Sequence, residues 1–278
     1  VTAALSDFAA AALDGALGFL LRRLHQRGNL VLADPERPTE RCGYLVLGMG
    51  KLGAGELNYS SDVDLIVLYD PERIDCRHKR GTAETMIRLT RDLVQLLEER
   101  TGEGYVCRTD LRLRPDPGAM PLAISFNAAM TYYESLGQNW ERAAMIKARP
   151  VAGDRQLGAQ FLREIRPFIE FFVQTQQLIF GGRNPELRTP ETLAALHGLQ
   201  AFGQIGAAAV RDLEAAYHYL RRLEHRLQMV ADQQTHRLPE DAAGIERLAA
   251  FFGAPDAESF RAELLGHLER VEEHYAEL

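Results

Sequence analysis

The 278-residue sequence is poor in cysteine, has a single tryptophan and carries no excess of positive charge. Cys42, Cys76 and Cys107 are odd in number and lack metal-ligand spacing, which points to a reduced, cytoplasmic setting. A formal net charge of −7 argues against a generic nucleic-acid coat. We find no apolar run long enough to span a membrane. The first segment is apolar, but Asp7, Asp14 and the lack of a basic start argue against a signal peptide. There is no internal repeat and no low-complexity tract. His218, Arg221, Arg222 and His225 share a helix face without a matched third ligand, so that face reads as solvated or interdomain rather than zinc-binding. What is present is enough apolar residue, 46%, for a sizeable core and a length that suits two modest domains or one large one.

The informative stretch is Leu45 to Tyr69, LVLGMGKLGAGELNYSSDVDLIVLY. Tyr44 to Leu47 reads as a short strand, Lys51 to Ser61 as turn or short helix, and Asp62 to Tyr69 as a second strand stopped by Asp70-Pro71. Side chains alternate along a strand, so Asp62 and Asp64 point the same way. Two carboxylates on one face of an apolar strand repel, and a divalent cation removes that conflict. The turn ahead supplies Gly48, Gly50, Lys51, Gly53 and Gly55, which let backbone N–H groups approach phosphate. It is not a P-loop, and the acidic residue of a dinucleotide fingerprint is not in place.

Tyr105 to Arg114 reads as a third strand ended by Pro115. Its period of two would put Arg108, Asp110, Arg112 and Arg114 on one face. Asp110 would complete the cation cage, and the arginines would neutralise phosphate oxygens. Taken alone, that face could equally be a solvated strand laced with ion pairs. Asn139-Trp140-Glu141-Arg142 and Lys147-Ala148-Arg149 form a second polar cluster, in which the tryptophan reads first as a core residue.

Helical spacing marks residues 4–24, a stripe from Met86 to Leu97, and helices over 127–136 and 139–148. Beyond Asp154 the strand signals vanish. Val210, Leu213, Tyr217, Leu220, Leu227 and Val230 repeat at three- and four-residue steps, and a second periodic stretch covers 257–275. We therefore expect an α+β fold. Residues 1–154 would form a small mixed sheet with helices, and residues 155–278 an all-α bundle.

These residues together resemble the DNA polymerase β-like nucleotidyltransferases, which use a Gly-rich turn, an Asp-x-Asp strand and a third aspartate on a neighbouring strand. GMGKLGAGELNYSSDVDLI, DLRLRPDPG, GQNWERAAMIKARPVAGD and EFFVQTQQLIFGGRNPELRT are similar to the glutamine synthetase adenylyltransferase family. The last two look like its N-terminal, deadenylylating half. One departure stands out: Arg166-Pro167-Phe168-Ile169 joins Glu170-Phe171-Phe172 directly, where the family normally has a long intervening stretch.

The resemblance implies a cytoplasmic enzyme of nitrogen metabolism that removes AMP from adenylylated glutamine synthetase by phosphorolysis, giving ADP. It implies Asp62, Asp64 and Asp110 as catalytic and Mg²⁺- or Mn²⁺-binding residues. Gly50, Lys51, Ser61, Arg112 and Arg114 would line the nucleotide and phosphate. The implied partners are glutamine synthetase and a PII signalling protein, with no nucleic acid and no membrane. The alternatives are ATP-dependent adenylylation at the same site and a non-catalytic PII-sensing module.

Overall fold

The computed structural model describes residues 1–176, 189, 191–231, 238, 239 and 241–276. The chain divides into two units: residues 1–57 with 62–191, and residues 58–61 with 192–278.

The first unit is built on a five-stranded sheet in the order β5-β3-β2-β7, with β6 also paired to β3. The strands are β2 (Tyr44–Gly48), β3 (Val63–Tyr69), β5 (Thr109–Asp110), β6 (Ala123–Ser125) and β7 (Arg149–Gly153). β2 and β3 are antiparallel, with Tyr44 opposite Tyr69 and Gly48 opposite Leu65. β5 and β6 both run parallel to β3, one along its start and the other along its end. A separate ribbon pairs β1 (Leu30–Val31) with β4 (Asp75–Cys76).

Both sheet faces are covered, which is why β2 is apolar throughout instead of alternating. Tyr44, Val46, Leu65 and Val67 face one core with helices α1 (Thr2–Gln26) and α3 (Gly81–Glu98). Leu45, Leu47, Ile66 and Leu68 face another with α4 (Phe126–Ser135) and α6 (Arg155–Gln176). The buried Tyr44 hydroxyl meets Thr90 Oγ1 at 2.7 Å, so the α3 side of the sheet keeps its polar group satisfied. By length and composition α1 is apolar enough to cross a membrane, contrary to the expectation from the sequence. Its Leu13, Leu17, Leu20 and Leu21 instead fill the first core, and Asp14 Oδ1 accepts the Gly153 N–H at 2.9 Å.

Two expected elements change. The third strand is only Thr109–Asp110, because the Asp110 carboxylate accepts the Arg112 backbone N–H at 2.8 Å and turns the chain. The helix expected over 139–148 ends early: α5 (Asn139–Ala144) passes through a 3₁₀ turn at Met145–Lys147 into β7. β7 carries Pro150 at an irregularity in its pairing with β2, on the sheet edge where a missing N–H is tolerated. Helix α6 starts at the expected domain boundary but sends Leu157, Phe161 and Ile165 into the core of the first unit.

Apart from residues 58–61, the second unit carries helices α7 (Thr192–Ala201), α8 (Ala207–Ala231), α9 (Ala242–Phe252) and α10 (Ala257–Ala276) among its described residues. Tyr219, Leu223, Leu227, Ile245, Leu248, Phe260 and Leu264 make its core. Asp241 caps α9 by accepting the Gly244 N–H at 2.7 Å, and Gly253 ends that helix at φ +88°.

Candidate active site

The Gly-rich turn leaves β2 and forms one helical turn, α2 (Gly50–Gly53), within the stretch expected as turn or short helix. The Met49 N–H donates to the Asp64 carbonyl at 2.8 Å, which ties the turn to β3. Gly50 has φ +49°, and a Cβ there would lie 2.9 Å from Asp64 Oδ2. Only glycine lets the backbone come this close to the carboxylate. Gly53 is more tightly constrained: its Cβ would stand 1.8 Å from the Lys147 carbonyl oxygen.

β3 and β5 pair in parallel with Asp64 opposite Asp110, so the two carboxylates sit side by side on one face. Asp62, two residues before Asp64, shares that face. Burial, then the charges of Asp110 and Asp62, push the Asp64 carboxyl up to about 6. Arg112 and Lys51 oppose that shift. Asp110 goes the other way, held low chiefly by its hydrogen bonds from Arg112. The Arg112 guanidinium grips Asp110 through both Nε and Nη2, while its side chain remains 83% exposed. Asp62 accepts from Arg108 Nε at 2.6 Å, and Arg108 Nη1 donates to the Tyr105 hydroxyl at 2.6 Å.

The remaining expected residues divide. Lys51 lies on α2 and acts electrostatically on Asp64. Arg114 is not on the strand. Its guanidinium donates to the carbonyls of Leu111 and Pro117, both at 2.8 Å, and Met120 at 3.4 Å, and so closes the 111–120 loop. Ser61 falls with residues 58–60 into the second unit, and its buried hydroxyl has no hydrogen-bond partner. Trp140 is 53% exposed rather than core. The buried member of its cluster is Glu141, which accepts from the Tyr132 hydroxyl at 2.8 Å and the Gln138 N–H at 2.7 Å.

Sequence reasoning missed the grip of Arg108 on Asp62, and it grouped Arg149 with the second polar cluster without foreseeing its contact with the turn. Arg149 pairs across from Gly48 and donates to the Leu52 carbonyl at 3.1 Å, beneath the turn. The sequence held one signal for Arg108, its period-two spacing from Asp110. Residues 177–188 of the quoted FFVQTQ stretch lie outside the described residues.

Among the described residues, no three carboxylate, imidazole or thiolate groups converge on a single ion-sized point. The geometry explains this: Asp62 is turned onto Arg108 and Asp110 onto Arg112. The donor chemistry nevertheless fits a hard divalent cation. All three groups are carboxylates, and the middle one is raised by burial and then by the charges of the other two.

Residues 1–164 match the family model described as glutamate-ammonia ligase adenylyltransferase. The chain belongs to this family of nucleotidyltransferases. Residues 162–278 match a second model, described as GlnD PII-uridylyltransferase. A bifunctional glutamine synthetase adenylyltransferase/adenylyl-removing enzyme of Rhizobium meliloti (strain 1021) is 48% identical over 320 residues, covering 99% of this chain and 32% of that protein. The protein of the same name from Bradyrhizobium diazoefficiens is 47% identical, covering 100% of this chain and 33% of its own length. The chain thus spans about a third of the length of the curated relatives it matches, and it aligns with their N-terminal part. The 320-residue alignment exceeds the 278 residues of the chain, so the Rhizobium meliloti relative carries residues with no counterpart here.

Proposed function

We propose that the chain removes AMP from an adenylylated tyrosine of glutamine synthetase by phosphorolysis. A phosphate oxygen attacks the phosphorus of the AMP group, the bond from phosphorus to the tyrosyl oxygen breaks, and the phenolate takes up a proton. ADP and unmodified glutamine synthetase leave. The observation that carries this reading is the in-register pair Asp64–Asp110, with Asp62 on the same face, set directly against a Gly-rich turn. The phrase "adenylyl-removing" in the relatives' names and the alignment with their N-terminal part support the direction.

Asp62, Asp64 and Asp110 would hold Mg²⁺ or Mn²⁺. When bound, the ion supplies positive charge to the phosphoryl oxygens, so no protein nucleophile is required. Gly50 and Lys51 bring backbone N–H groups and a cation to the nucleotide phosphate. Arg112 is exposed and pivots between Asp110 and an incoming phosphate. The tyrosine phenol, with an ordinary pKa of about 10, is a tolerable leaving group. The second unit is our candidate for meeting a PII protein, on the strength of the family match over residues 162–278.

The test is product identity by chromatography, with adenylylated glutamine synthetase and phosphate present or absent. We expect ADP only when phosphate is present. Because the relatives' name also includes adenylyltransferase, ATP-dependent modification of the unmodified enzyme without phosphorolysis would reverse the assignment.

A further inference from the structure

A second charged crevice lies away from the carboxylates, between the last turns of α1 and the first turns of α3 in the first unit. Its cavity is small, about 100 Å³, and open to solvent. Arg23 and Arg27, one helical turn apart, line it from α1, and Arg80 and Arg88 line it from the start and middle of α3. Leu24 and Leu89 give it an apolar floor.

Guanidinium groups gathered around one concavity repel one another unless a carboxylate or a bound anion lies between them. Here Arg80 pairs with Glu84 at 2.8 Å, but among the described residues Arg23, Arg27 and Arg88 form no ion pair. Asp92 lines the same crevice without bridging to any of them. Three unpaired guanidinium groups around one concavity leave a positive charge excess that a multiply charged anion would satisfy. Guanidinium forks match phosphate oxygens in pairs. The lining holds no Phe, Tyr or Trp on which a base would stack. Recognition would therefore fall on the phosphates.

We propose that this crevice binds a diphosphate group, either free or carried on an organic molecule. The site is separate from the proposed active centre. Thr109, next to Asp110, donates its N–H to Glu98 at the far end of α3 at 2.8 Å. A helix rises about 1.5 Å per residue, so Arg80 and Glu98 are roughly 27 Å apart. Helix α3 thus joins an anion at one end to the strand carrying Asp110 at the other. This inference goes beyond the phosphorolysis reading and does not depend on it.

The test is calorimetric titration of the full chain with inorganic pyrophosphate at low salt, with ADP in a parallel arm. We expect Arg23→Gln/Arg27→Gln to weaken pyrophosphate binding by about tenfold per guanidinium removed, the scale of a charge-assisted hydrogen bond. Arg88→Gln, on the other helix, should weaken it similarly, and it keeps the proposal testable if the double variant unfolds. Asp62→Asn should leave pyrophosphate binding unchanged. Equal sensitivity of ADP binding would identify an organic diphosphate as an accepted ligand, and insensitivity would restrict the site to the free anion. Absence of pyrophosphate binding, or binding lost in Asp62→Asn and kept in the arginine variants, would overturn the proposal.

Discussion

Arg108 Nε lies 2.6 Å from Asp62 Oδ1 and is held there by the Tyr105 hydroxyl. Arg112, on the neighbouring loop, grips Asp110 through both Nε and Nη2. Each flanking carboxylate of the candidate centre is therefore neutralised by its own arginine, and Asp64 between them has no such partner in these two pairs.

The Arg108 pair makes a metal-binding prediction. A guanidinium competes with a cation for the Asp62 charge. Arg108→Gln should bind Mn²⁺ several-fold more tightly and lose about 1 kcal/mol of stability, the net worth of a typical hydrogen bond. Mn²⁺ titration followed by electron paramagnetic resonance, with urea unfolding in parallel, reads both. Weaker Mn²⁺ binding would show that Arg108 instead aims Asp62 at the ion.

Asp64 gives a pH signature. Its carboxyl is pushed up to about 6 from an ordinary value near 4, so the folded state holds the proton more tightly than the unfolded chain. Stability from this group is greatest below about pH 4, is lost as pH rises through about 6, and is flat above. In chelator, Asp64→Asn should match the parent near pH 4 and exceed it above pH 6. Comparing the two cancels the other titrating groups. Adding Mg²⁺ should narrow the gap. A gap that does not change between pH 4 and 7 would mean Asp64 is not crowded by its neighbours.

Arg112 and Arg114 should separate cleanly. Arg112→Ala should raise the phosphate requirement by about one to two powers of ten, if one charge-assisted hydrogen bond is lost, with little change in melting point. Arg114→Ala should do the opposite, because its guanidinium closes the 111–120 loop on three backbone carbonyls. Phosphate saturation curves and thermal melts of both variants decide it. A shared phosphate defect would return Arg114 to the site.

Gly53→Ala should destabilise the chain by about 3 kcal/mol, at the upper end of overpacking costs. The added methyl would collide with the backbone oxygens of Lys147 and Gly48, which cannot rotate away as a side chain would. Chemical denaturation measures it, and a neutral substitution would mean the turn is looser than described.

In the second unit, Phe260→Ala should cost about 3–5 kcal/mol, since Phe260 is fully buried against Phe252 and its core neighbours. Circular dichroism during urea unfolding would show an early loss of helix. An unchanged profile would mean that the packing of α8, α9 and α10 is not what holds this unit.

The sequence by itself determined the elements whose chemistry is local. Alternation put Asp62 and Asp64 on one face, the glycines marked the turn, and three- and four-residue spacing marked α1, α3, α4, α8 and α10, while α6, α7 and α9 were not singled out. Boundaries set by a side chain capturing a nearby backbone N–H, or by contacts distant in sequence, were not legible. The Tyr105–Arg114 pattern alternates as a strand does, yet the Asp110 side chain captures the Arg112 N–H and ends it after two residues. Arg149–Gly153 carries a proline and reads as no strand, yet it pairs with β2, some hundred residues earlier in the chain. Trp140 reads as core, and its neighbour Glu141 takes the buried place because Tyr132 and Gln138 supply its hydrogen bonds. Only the tertiary structure decided that Asp110 stands in register with Asp64, and that Arg108 and Arg112 grip the two flanking carboxylates. Register between strands and the choice of ion-pair partner depend on which surfaces the fold brings together, and side-chain periodicity along one segment carries no record of that.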